Sequence, residues 1–401
     1  MNQRPRGLAL VLLATVVTLG IGWLLKAPCL GSWADGRQYN RLCYSDVAAL
    51  YGDNTTRDRG LDQDRVPYVD GENEYPVLTG LAMWVTALPA TSYPSFFGWN
   101  AVLLAIAALA TAAMVHRMVG NRALLFAVAP TLAIYAFMNW DLLAVVLATG
   151  GTLAFLKRRD ATAGILLGLG AAAKLYPALL LVPFAIARLR DGKKARAAAI
   201  VASGVGTWVV VNLPFAIPKI ETGAFDRWSE FFRFNAIRPA DWDSLWYIAS
   251  RHLGFVWDPG VVNGLALAAF VLTAIGLWAS VGRRLPVDRV WTFGFPVVVV
   301  FLLTSKVYSP QYGLWLLPWF ALALRDVRLF VAFELADIAV FVTRFEFFAR
   351  LEGVGEGLPQ WSFDLAVVVR AAVLVVCVVA WAMEHSKRRA DAPVPALAGA
   401  A

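Results

Sequence analysis

Charge-free apolar runs at 7–25, 93–115, 197–218 and 259–282, each of 19 to 24 residues, stand out along a chain whose other apolar segments are joined by short polar turns and two longer loops. An uncharged stretch of about 18 residues or more is long enough to cross a bilayer as a helix. The turns carry basic clusters: Arg4/Arg6, Arg117/Arg122, Lys157–Arg159, Arg188–Arg196, Arg283–Arg289, Arg325/Arg328 and Lys387–Arg389. Lys and Arg in short loops mark the cytoplasmic side of a membrane protein. Placing every cluster there predicts twelve spans, near 7–25, 95–115, 123–138, 142–156, 161–173, 175–187, 197–213, 261–281, 290–304, 312–324, 329–343 and 363–383. Both termini are then cytoplasmic, and 7–25 is an uncleaved span because no small-x-small site follows it. Residues 76–90 are apolar too, but as a span they would reverse the side of Arg117/Arg122. They are read as a helix lying in or re-entering the outer interface, with a thirteenth span as the alternative. The expected fold is all-α and polytopic, with about 12 (11–13) transmembrane helices. Residues 1–389 form one membrane domain with outer loops 26–94 and 214–260, the first carrying short helices, and 390–401 form a disordered small-residue tail.

Composition narrows the class. The chain is 59% hydrophobic and 16% charged, with a mean hydropathy of +0.61. Soluble domains run at about 45–50% apolar and about 25% charged, so a soluble enzyme, a disordered chain and a single-span receptor are excluded. The inside segments hold 20 Lys+Arg against 6 Asp+Glu and the rest 16 against 22, so balances of +14 and −6 sum to the stated +8. The basicity therefore reflects contact with the inner leaflet rather than nucleic-acid binding.

Several familiar chemistries are missing from the sequence. It has no G-x4-G-K-[ST] phosphate loop, no H-E-x-x-H and no paired-Cys motif, and of its three histidines only His252 falls outside. No metal site and no required cofactor are expected; the sequence leaves a divalent cation open. Cys29 and Cys43 share the first outer loop, fourteen positions apart. A disulfide between them and two reduced thiols are both compatible with the sequence, and Cys377 reads as an apolar filler.

Polar residues gather at the outer corners of otherwise apolar helices: Asn139-Trp140-Asp141, Lys174-Leu175-Tyr176-Pro177 and Lys306-Val307-Tyr308-Ser309-Pro310-Gln311-Tyr312. Glu334, Asp337 and Arg370 lie within nominal spans, where ionisable groups are costly and mark function by default. The spans flanking Lys174 have 13 residues each, about 20 Å of helix against a core of about 30 Å. Lys174 and Tyr176 are thus expected below the outer surface, where an ammonium can hold a phosphate. A snorkelling lysine is the bland alternative.

The first outer loop runs Cys43-Tyr44-Ser45-Asp46-Val47, then Arg59-Gly60-Leu61, Pro67-Tyr68 and Glu74-Tyr75-Pro76. That order, with the later Lys174-Leu-Tyr-Pro, Asp243-Ser-Leu-Trp246 and Ser309-Pro-Gln-Tyr312, resembles the GT-C glycosyltransferases. More narrowly it is similar to glycosyltransferase family 87, the polyprenol-phosphate-mannose-dependent mannosyltransferases of actinobacterial type, over residues 7 to 325. The resemblance implies an inverting enzyme of the plasma membrane. It would move a hexose, mannose by family expectation, from a polyprenyl-phosphate donor to an extracytoplasmic glycolipid or polysaccharide of the cell envelope. It assigns the general base to Asp46, although the loop holds nine acids between Asp35 and Glu74. Candidate substrate contacts are Lys174, Tyr176, Lys306, Gln311, Tyr312, Glu74, Asp141, His252 and Arg370. For His252 a surface role, and for Arg370 pairing with Glu334 or Asp337, are equally good readings. Trp228, Trp242, Trp246 and Trp257 read as interfacial belt residues. A lipid-linked sugar flippase or transporter and a non-catalytic envelope-complex protein are the competing classes. A transporter would pair broken helices between two halves, and no such pairing is visible. The oligomeric state is left open by the sequence.

Overall fold

A computed structural model describes residues 3–31, 35–51, 66–217, 224–254 and 256–386. The Arg59-Gly60-Leu61 stretch and the tail 390–401 lie outside the described residues. Among those described, every regular element is helical, and the only pairing of extended backbone is an isolated bridge between Pro67 and Gly71.

Six helices are long and apolar enough to cross a membrane: Arg6–Cys29, Tyr93–Ala127, Lys194–Ala216, Pro259–Arg284, Val287–Thr304 and Gln360–His385. Exposed side chains such as Leu13, Val210, Leu272 and Val376 stud their outer faces, the distribution expected where lipid is the solvent. The other expected spans are helical but shorter or interrupted. Residues 123–138 divide into Leu124–Ala127 and Pro130–Tyr135, because Pro130 cannot continue the preceding turn. Residues 312–324 become a 3-10 segment, Pro310–Trp315, and a helix, Leu317–Ala323. The expected span 329–343 is instead part of one helix, Val327–Leu351. Glu334, Asp337 and Arg344 do not end it, since each finds a buried partner. Residues 76–90 give the helix Val77–Ala87, about 16 Å long and too short to cross the core.

The bundle has two ends. Asp141–Leu156 starts beside Asn139, which opens on one cavity, and finishes at Leu156, which opens on another. Asp160–Ala173 then returns the chain to Lys174 at the first cavity. Gly7 packs beside His116 and Asn121, and Glu384 and His385 line the second cavity. Both ends of the described chain therefore lie away from Lys174.

Close backbone packing sets the hairpin that carries Lys174. A Cβ added to Gly164 would collide with the carbonyl of Ile200, and one added to Gly168 with the carbonyl of Gly204. These glycines let Asp160–Ala173 lie directly against Lys194–Ala216, the packing mode of small residues between helices in lipid.

Candidate active site

The first outer loop is tied down at several points. Lys26, fully buried at the end of the first helix, donates from Nζ to the Tyr44 carbonyl at 2.7 Å. Cys29 and Cys43 are joined by a disulfide. The Ser45 hydroxyl donates to the Phe137 carbonyl at 2.7 Å, and the Asp46 N–H to Met138 O at 2.7 Å. The loop is thereby fastened to the irregular turn after Pro130–Tyr135. Asp46, the first residue of a short helix, is left half-buried at the mouth of the bundle.

Both oxygens of that carboxylate are engaged. Tyr44 Oη donates to Oδ1 at 2.7 Å and Asn139 Nδ2 to Oδ2 at 2.6 Å. Asn139 also donates to Tyr75 Oη at 3.0 Å. Burial, and then the Asp46 charge, push the Tyr44 phenol well above its ordinary value, so it remains a donor. Two donors fix the carboxylate's orientation, and each oxygen keeps a lone pair for an incoming hydroxyl.

Asp46 lines a cavity of about 320 Å3 together with Glu74, Tyr75, Asn139, Lys174 and Gln311. Tyr312, Arg238, Asp241 and Arg344 complete its charged and polar wall. Lys174 lies 5.6 Å from the ring centre of Tyr75 and 5.2 Å from that of Tyr312, a cation held between aromatic faces. Its Nζ is 3.3 Å from Oδ2 of Asp141. Asp141 is fully buried, and its Oδ1 accepts from Trp315 Nε1 at 2.7 Å. Tyr75 thus touches both the ammonium and Asn139, the residue that holds the base candidate.

Two arginines that sequence reasoning missed share the cavity. Arg344 is 2.7 Å from Asp243 Oδ1 and 3.6 Å from Asp241 Oδ1, while Arg238 is 3.5 Å from Asp241 Oδ2. Asp243 is buried, and burial pushes its carboxyl up to about 6 against the pull of Arg344. The rest of the Asp243-Ser-Leu-Trp246 motif is architectural. Ser244 caps Leu245–Leu253 by accepting from Tyr247 N, and Trp246 Nε1 donates to the Thr304 carbonyl. Nothing in the sequence marks Arg344, since its acidic partners lie about a hundred positions earlier and meet it only in the fold.

Five candidates lie off the cavity wall. Tyr176 is buried beneath it, stacked 4.3 Å from Trp315, which stacks 4.1 Å from Tyr312. Asp141 reaches the cavity only through Lys174. Lys306 donates to the carbonyls of Arg238 at 2.7 Å and Ala236 at 3.3 Å, so it caps the C-terminus of Ala224–Ile237 and places Arg238. His252 is mostly exposed and lies 3.7 Å from Asp364. Arg370 is fully buried, 3.2 Å from Asp337 and from the Asp243 carbonyl, and lies over the Tyr308 ring at 3.7 Å. Glu334 caps Pro130–Tyr135 instead, accepting from Thr131 N at 2.9 Å and Thr131 Oγ1 at 2.8 Å. Burial of charge within the spans has a structural cause in both cases. Among the described residues no group of three His, Cys, Asp or Glu side chains is arranged to hold a metal ion.

A family model, Glycosyltransferase family 87, matches residues 74–310. No curated protein matches the chain by sequence. Among solved structures the chain is similar to the apo oligosaccharyltransferase of Archaeoglobus fulgidus, with 11% identity and a TM-score of 0.42 over 94% of this chain and 56% of that one. It therefore spans little more than half that protein's length. It is also similar to ArnT from Cupriavidus metallidurans in the apo state, with 14% identity, a TM-score of 0.47, and 93% and 76% of the two chains covered. The same protein bound to undecaprenyl phosphate gives 13% identity and a TM-score of 0.46 over 94% and 78%.

Proposed function

The chain belongs to glycosyltransferase family 87, and from that membership we propose that it moves a hexose, mannose by family expectation, from a polyprenyl phosphate to an acceptor of the cell envelope outside the cytoplasm. One observation carries this reading: a carboxylate oriented by two donors, Asp46, shares a cavity with Lys174, Arg238 and Arg344. Glycosyl transfer from a lipid phosphate needs a base for the acceptor and cations for the leaving group.

The acceptor oxygen attacks the anomeric carbon as its proton passes to Asp46. The bond from that carbon to the phosphate oxygen breaks, and the electron pair leaves with the lipid phosphate. Lys174 meets the developing charge in a site of low dielectric, where fixed cations act strongly. Each cation rests against a carboxylate, Lys174 on Asp141 and the arginines on Asp241 and Asp243. An entering phosphate therefore competes with these carboxylates for cations already in position. One displacement without a carboxylate nucleophile inverts the anomeric configuration.

The basic cluster of each short turn supports an outer position for the cavity. So does the Cys29–Cys43 disulfide at the cavity end, a bond that persists in oxidising compartments. Purified protein given polyprenyl-phosphate mannose labelled in the sugar, with an envelope extract as acceptor, should transfer label without ATP or an ion gradient. Label moved between leaflets with no new glycoside formed would favour the flippase instead.

A further inference from the structure

The larger of the two cavities lies at the other end of the bundle, about 890 Å3 in volume. Five arginines from separate segments line it: Arg122, Arg158, Arg188, Arg289 and Arg325. Three acids, Asp191, Asp288 and Glu384, share the wall. Four of the arginines are committed. Arg122 closes the end of Leu317–Ala323, donating to the carbonyls of Ala321, Phe320, Arg325 and Leu324. Arg188 holds Asp160 at 2.7 Å, Arg325 holds Glu384 at 2.9 Å, and Arg289 lies 3.6 Å from Asp288.

The Arg158 side chain has no hydrogen-bond or ion-pair partner among the described residues, and its backbone is unusual. It follows the helix Asp141–Leu156 with φ +59°. Its N–H donates to Phe155 O at 3.0 Å, and the next N–H, of Arg159, to Ala154 O at 2.9 Å. This is a Schellman ending, whose left-handed position is normally glycine and sometimes asparagine. A long cation occupies a position that backbone sterics disfavour, and it faces a cavity already ringed by cations.

We propose that this cavity binds the phosphate head group of an anionic glycerophospholipid. The geometry suits a lipid rather than free phosphate. Apolar side chains, among them Leu156, Trp291 and Leu322, share the wall with the arginines, so head and upper chain can be seated together. Basic pockets between helices at the cytoplasmic end are a recurrent setting for such head groups.

The test is native mass spectrometry of the purified full-length protein, delipidated and titrated with phosphatidylglycerol or phosphatidylcholine. Phosphatidylglycerol should be retained in preference. Arg158→Asn removes the charge while suiting the left-handed backbone, so thermal stability should hold or rise. Phosphatidylglycerol retention should fall roughly fivefold, the share of one arginine near an anionic surface. Arg158→Asn/Arg289→Gln should lower it further. Equal retention of the two lipids, or unchanged retention by both variants, would overturn the proposal. Displacement of the lipid by millimolar inorganic phosphate would assign the site to free phosphate and overturn it as well.

Discussion

At the scale of single residues, the candidate site is a set of charges that hold one another in place. Lys174 is the clearest case. Removing a cation that meets a leaving phosphate should cost on the order of 10²–10³ in rate. Lys174→Ala also strands the fully buried Asp141, and an uncompensated buried charge costs about 3–5 kcal/mol. The double variant Lys174→Ala/Asp141→Asn separates the two effects. We expect it to regain the thermal stability lost by the single variant while sugar transfer stays low; recovery of transfer would make Lys174 a structural lysine. Asp46 and Lys174 were legible in the sequence because each sits in a short motif at a helix end. Arg344 was not, because its meaning depends on Asp243 and Asp241, about a hundred positions earlier. Lys26 was equally silent, since only the folded loop brings the Tyr44 carbonyl to it.

At the scale of helices, hydropathy located the elements and misjudged their continuity. Pro130 breaks a segment whose composition suggested a continuous span, and Pro310 opens a 3-10 segment that runs into the expected span 312–324; the irregular backbone lies where Asp46 and Gln311 are displayed. Conversely, Arg344 and Glu346 looked like the end of a span, yet the helix continues to Leu351. The hairpin bearing Lys174 depends on a contact between glycines that no hydropathy scale registers. Gly168→Val should therefore lower the melting temperature in detergent sharply, since overpacking alone costs typically 1–3 kcal/mol and here the neighbour is backbone. Gly206→Ala, which meets nothing within 4 Å, should melt like the parent. Equal melting of all three proteins would contradict the close packing of Asp160–Ala173 on Lys194–Ala216.

For the whole molecule, the proposed orientation, with the cavity of Asp46 outside, rests on the charge split along the sequence. In intact cells, Lys157→Cys and Lys193→Cys should resist an impermeant thiol reagent, and Glu356→Cys, near Asn40 and Val354 at the cavity end, should react. Labelling at 157 or 193 would invert the protein and move the chemistry to the cytoplasm. The central claim is narrower, that Asp46 takes the acceptor's proton. Asp46→Asn keeps the shape of the side chain, and an amide oxygen can still accept from Tyr44 or Asn139, so folding should survive. The direct measurement is transfer of labelled mannose from polyprenyl phosphate by matched membranes of the parent and the Asp46→Asn protein at equal expression. A fall of roughly 10²–10⁴, the size of a general-base contribution, is the predicted result, and transfer by the asparagine variant at a near-parental rate would contradict it.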